Sequence, residues 1–183
     1  MRTTAHLAVA ALAAVITGCA STAPPVGVEL DALTEQVNET VSQFRQRDPG
    51  MERFFERSYG WAVFPKVAKG AAGVGGANGR GLVIEQGDVV GYTTVSQATI
   101  GLQLGGQTYR EIIFFQTRPD LEHFKAGRFE FDAQASAVAA RAGASADANY
   151  ARGVAVFTMT RAGLMYEASI GGQKFTYETL HEE

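Results

Sequence analysis

The chain is poor in the residues that most small-molecule chemistry needs. It has one cysteine, Cys19, and three histidines, His6, His123 and His181. A lone cysteine excludes an intramolecular disulfide, and so few soft ligands exclude an ordinary zinc centre. Charged residues make up only 19% of the 183 positions, and the formal net charge is -3, the wrong sign for nucleic acid. There are 5 prolines against 21 glycines, which argues for a β-rich chain with tight turns rather than a proline-rich disordered one.

Catalytic patterns are also missing. Ser145 in "GASAD" lacks the second glycine of a nucleophile elbow. His123 stands beside Glu122 in a short helical stretch and reads as a surface residue. Glu130 and Asp132 share a strand face with Arg128, opposite Phe129 and Phe131, which is the pattern of a solvated face. A pocket holding both carboxylates would be needed for acid–base work. No catalytic residue, metal or cofactor is assigned.

The N-terminus reads as an address. Arg2 precedes the apolar run "AHLAVAALAAVI", which is too short for a membrane-spanning helix and ends in "ITGCA". A branched apolar residue, a small residue, glycine and cysteine form a bacterial lipobox. Residues 1–18 are therefore expected to be a lipoprotein signal, with Cys19 acylated and 19–27 a lipidated tether. Two or three acyl chains, at about 0.8 kcal/mol per buried methylene, make a permanent anchor. Ala20 follows the cysteine where an aspartate favours inner-membrane retention, so the expected location is the outer membrane, facing the periplasm.

Residues 28–183 are expected to form a single domain, with helices over 28–58 and a β-rich part over 59–183. Leu30, Leu33, Val37, Val41 and Phe44 recur at helical spacing between acidic and amide residues. "RDPG" should end that helix, and a second short one should run from Met51 to about Arg57. From Trp61 the period drops to two. "WAVFP" predicts a strand closed by Pro65, and "GLVIE" and "VVGYTTV" predict a hairpin around "QGD". "TIGLQL" and "EIIFFQT" read as further strands, then "RPDLEHFKAG" as a short helix with Thr117 as N-cap. "RFEFDAQASAVAA", "GVAVFTMT", "GLMYEASI" and "QKFTYET" follow, the last two joined by Gly171 and Gly172 as a hairpin turn. Short connections demand antiparallel pairing. The expected class is α+β: N-terminal helices packed on a strongly twisted antiparallel β-sheet or partly closed β-barrel, with one short helix between strands.

"KGAAGVGGANGRG", Lys69 to Gly81, carries six glycines together with Lys69 and Arg80. It has no Walker lysine, and its glycines lack dinucleotide-fold spacing. Two readings remain. Lys66, Lys69 and Arg80, with backbone N–H groups around Gly73, Gly75, Gly76 and Gly79, could hold a phosphate headgroup. Alternatively the stretch is a turn flanked by solvated cations.

"VFPKVAKGAAGVGGANGRGLV" resembles the signature of the SYLF domain, or Ysc84 family, whose bacterial members typically read F-P-x-V-x-K-A-G-x-G-V-G-G-x-x-G-x-G. The resemblance continues through "VVGYTTVSQATIGLQLGGQTYREIIFF" and "GVAVFTMTRAGLMYEASIGGQKFT". It implies a non-enzymatic lipid-binding module. Eukaryotic members bind phosphoinositides and some associate with actin, whereas bacterial members are often lipoproteins. Lys66, Lys69, Gly73, Gly75, Gly76, Gly79 and Gly81 match the motif, but Ala72, Ala77 and Asn78 replace the family's usual aromatic and acidic loop residues. The first helix is acidic, so a bacterial phospholipid is expected rather than a phosphoinositide. The expected partners are membrane phospholipids. The alternative is a structural envelope lipoprotein that binds a protein partner.

Overall fold

The structure is a computed structural model and describes residues 23–72, 74–100, 105–127, 136–139, 143–160, 168–169 and 172–180. Cys19 and the residues before it lie outside these residues, as do Gly73, Glu130 and Asp132. Among the described residues no helix is long and apolar enough to cross a membrane.

Helix α1 spans Val28–Arg47 and buries Leu33, Val37, Thr40 and Phe44 along one stripe. Glu29 and Asp31 occupy its first turn, Arg45 and Arg47 its last, complementing the helix dipole. Asp48 stops it with extended backbone dihedrals and accepts a hydrogen bond from Gly50 N at 3.1 Å. A single 3-10 turn at Pro49–Met51 leads into α2, Glu52–Arg57. Both helices thus fall where the apolar period places them.

The strands are β1 Gly60–Ala72, β2 Val74–Glu85, β3 Asp88–Ile100, β4 Gly105–Phe115, β5 Ser136–Ala139, β6 Val154–Thr160, β7 Ala168–Ser169 and β8 Gln173–Thr179. Helix α3, Arg118–Lys125, follows β4. Asp120 holds its first turn by accepting the Thr117 N–H at 2.9 Å. The sheet order is β7-β5-β6-β4-β1-β2-β3-β8. Six neighbouring strands, β6 through β8, form an antiparallel sheet. The class is α+β, and among the described residues the sheet does not close into a barrel.

Three sequence expectations need correction. Pro65 does not end a strand. The register of β1 slips there against both neighbours, between Val63 and Lys66 on one side and between Phe64 and Val67 on the other. A proline cannot donate to a ladder, but a bulge removes the need, so β1 continues for seven more residues. Second, the strands do not all run antiparallel. β5 lies parallel to β6, which the 14 residues between Ala139 and Val154, with their 3-10 turn at Ala144–Asp147, permit. Third, β7 and β8 are not a hairpin. β7 pairs with β5 and β8 with β3, at opposite ends of the strand order.

That third correction fixes the sheet's shape. Seven strand spacings of about 4.8 Å would set the outer strands about 34 Å apart in a flat sheet. Yet the chain from Ser169 to Gln173 can span at most about 14 Å. The sheet must therefore roll up. Side chains agree: Phe64 of β1 and Phe175 of β8 stack with centroids 5.8 Å apart, although two strands lie between them.

The roll has an inside and an outside. Inside pack Ala62, Phe64, Val67, Val83, Ile113, Phe115 and Phe175. Helix α3 plugs one end of this interior with Leu121 and Phe124, the latter 4.8 Å from Phe115 and 5.2 Å from Phe175 between ring centroids. Outside, Val63, Leu82, Tyr92, Ile112, Phe114 and Phe157 form one cluster with Leu33, Val37 and Phe44 of α1 and Phe54 and Phe55 of α2. Phe114 lies within 6.4 Å of four other aromatic rings in that cluster.

Candidate functional site

Cross-strand register decides which charged side chains can meet. Lys66 stands directly opposite Arg80, and Arg80 opposite Thr94, so all three share the outer face. The next row on that face is Ala68, Asn78, Ser96 and Lys174. Lys66 and Lys69 stand three residues apart in β1, with no bulge between them. Lys69 therefore points the other way, on the inner face with Val67 and Ala77. The expected three-cation site becomes two: Lys66 and Arg80 converge, and Lys69 does not join them.

The glycines also have a different role from the one expected. Gly75, Gly76 and Gly79 lie in β2, paired on one side with β1 and on the other with β3. Their N–H groups belong to a sheet interior, not to an open anion cradle. What these positions require is close approach. A Cβ on Gly79 would stand 2.8 Å from the Lys66 carbonyl oxygen, and one on Gly81 would collide with the Val63 carbonyl. Both targets lie at the β1 bulge, so the bulge and the glycines opposite it are one device. Gly76 is looser, its would-be Cβ 3.3 Å from Gln97 O.

The N-terminal half of α1 overhangs the Lys66–Arg80 row and leaves a groove of about 750 Å³. Glu29, Leu33 and Gln36 form its helix wall; Lys66, Arg80 and Tyr92 lie on its floor. Lys66 and Arg80 are exposed, and no ion pair engages either among the described residues. Like charges directly opposite on neighbouring strands repel. An anion between them would relieve that repulsion. Tyr92 is 1% exposed, yet its hydroxyl has no hydrogen-bond partner. Burial pushes its pKa up, and the nearby Arg80 charge partly offsets the rise. It is therefore a protonated O–H donor at neutral pH, beside the guanidinium. Thr94 adds a hydroxyl, bonded to Thr176 at 2.6 Å.

Two groove residues were not readable from the sequence. Tyr92 lies in a strand whose aromatic looks like core, and Glu29 reaches the groove only through the seat of α1. Lys69 does not line the groove, and Gly73 and Cys19 lie outside the described residues.

Fold and groove define a class: an α+β protein built on a rolled antiparallel sheet, with a basic, hydroxyl-lined groove outside the roll under its first helix. Residues 96–180 match the Ysc84 family model, described as "Las17-binding protein actin regulator". The chain is also 23% identical over 146 residues to Beta cell expansion factor A of Aeromonas veronii, an alignment covering 79% of this chain and 55% of that protein. The chain spans about half the length of this curated relative. The family match begins at Ser96, so it includes Lys174 but not Lys66 or Arg80.

Proposed function

We propose that this protein is a lipoprotein of the cell envelope whose SYLF-like domain binds phospholipid headgroups in the groove beneath α1. Cys19 would carry the acyl chains and hold the domain at one leaflet, and the lipobox and Ala20 favour the periplasmic face of the outer membrane. Close tethering raises the effective concentration of headgroups, so a weak site suffices. The observation that carries this reading is the juxtaposition of Lys66 and Arg80 across a strand pair, above an unpartnered Tyr92 hydroxyl. Two cations and a neutral O–H donor suit a phosphodiester, which offers a single negative charge and several acceptor oxygens. The role is binding rather than catalysis.

The test is flotation of the chain from residue 20 onward with liposomes of phosphatidylglycerol, cardiolipin or phosphatidylcholine. Binding to the anionic lipids that weakens with salt is expected. No flotation with any of them at low salt would remove the lipid reading. Capture of a protein by crosslinking in cells, with no lipid signal, would favour a scaffold role instead.

A further inference from the structure

The inside of the roll is apolar at the α3 end but not throughout. Glu111 of β4 points into it between Phe64 and Thr158 and is completely buried. One carboxylate oxygen, Oε2, accepts from Gln173 Nε2 at 3.2 Å, and the same amide nitrogen lies 3.3 Å from the Tyr109 hydroxyl. The other oxygen, Oε1, has no partner. Neither does Gln173 Oε1 nor Thr158 Oγ1. Gln173 and Thr158 are 0% and 1% exposed.

These three orphaned oxygens belong together. Glu111 and Thr158 are directly opposed on adjacent strands, which brings their Cβ atoms to about 5 Å on one face. Gln173 Oε1 sits on the same amide group that bonds Glu111. Each buried polar atom left unmade costs about 1–3 kcal/mol, and a buried carboxylate costs more. Three such atoms, on residues that neighbour one another on the inner face and come from strands far apart in sequence, leave room for an occupant there.

We infer that a small monovalent cation binds inside the roll, held by Glu111 Oε1, Gln173 Oε1 and Thr158 Oγ1. The donor set is all oxygen, as a hard cation requires. Its charge is that of one carboxylate, so a single positive charge neutralises it. Calcium takes six to eight oxygens, commonly several carboxylates, and magnesium keeps several waters in an octahedron; neither suits one acid in a closed interior. The competitor is a proton. Burial raises the Glu111 pKa to about 7, while the Gln173 amide opposes the rise. Proton and cation thus contend for the same oxygen near neutral pH. Other groups facing this interior are Tyr109, whose pKa burial also raises, and Lys69 from β1, which makes no ion pair with Glu111 among the described residues. From α3 only Leu121 and Phe124 reach in. The inference is independent of lipid binding, which uses the opposite face of the sheet.

The experiment follows thermal unfolding of the full chain in non-ionic detergent, titrated with sodium or potassium chloride against tetramethylammonium chloride at matched ionic strength. At pH 8 a saturable rise in Tm of a few degrees is expected with one or both small cations and not with the bulky one. At pH 5, where Glu111 is protonated in the fold, the rise should vanish. Glu111→Gln should abolish it, and Thr158→Val should weaken apparent affinity about tenfold. Broadening of the sodium-23 resonance by the unmutated chain at pH 8, reversed at pH 5, reads the same site without any variant. Equal responses to sodium, potassium and tetramethylammonium, or a saturable rise that survives Glu111→Gln, would overturn the inference and leave ordered water as the occupant.

Discussion

The two faces of the sheet handle polar groups in opposite ways. Outside, Lys66 and Arg80 stay exposed, and the helix that covers Val63 and Leu82 stops short of closing over them. Inside, Glu111 is sealed from solvent with one hydrogen-bonded oxygen and one orphan. Strand alternation assigns residues to the faces, and curvature then decides what each face becomes. The convex side leaves a groove where α1 leaves the surface, and the concave side buries its polar groups. The proposed cation site and the proposed headgroup site thus lie on opposite faces of one sheet.

The contrast can be attacked first through the packing on each side. Phe114→Ala outside and Phe124→Ala inside should each cost about 3–5 kcal/mol in denaturant unfolding, because both rings are fully buried among other rings. A loss under about 1 kcal/mol for Phe124→Ala alone would mean that α3 does not plug the roll.

Next comes the buried acid. With only tetramethylammonium as cation, Glu111 holds its proton more tightly in the fold, at a pKa raised from 4.5 to about 7. The folded state therefore binds the extra proton between those values. Stability should fall as pH rises through that window, then level off, for a total on the order of 3 kcal/mol. Glu111→Gln should flatten this part of the profile. An unchanged slope in the variant would place the titration elsewhere.

A smaller effect separates glycines that look alike in the sequence. Gly81→Ala forces a Cβ against the Val63 carbonyl and the Phe64 ring at the bulge and should cost about 1–3 kcal/mol. Gly70→Ala meets nothing within 4 Å and should change stability by less than about 0.5 kcal/mol. Equal costs would mean that β2 does not press on the bulge as described.

These contrasts also show what could be read in the chain. The helical stripe of α1, the turn at Gln86 and Gly87 and the short helix after Thr117 were legible, because each is set by local spacing or local backbone demand. The glycine stretch was not. Its composition suits a loop as well as it suits a strand pressed on a bulge, and only pairing with β1 and β3 decides. For the same reason the alternation rule could have split Lys66 from Lys69, had the strand been known to continue past Pro65. Glu111 opens the run "EIIFF" and looks like a strand-end charge; nothing local says that β8 will bury it. Long-range pairing carries the site, and a single sequence does not display it.

The account rests most heavily on which cations share a face. Liposome flotation with anionic lipid at low salt should compare Lys66→Glu with Arg80→Glu in one chain and Lys69→Glu in another. The doubly reversed chain should lose at least tenfold in binding while Lys69→Glu keeps most of it. Equal loss in both, or undiminished flotation of the doubly reversed chain, would contradict the groove as the site of contact.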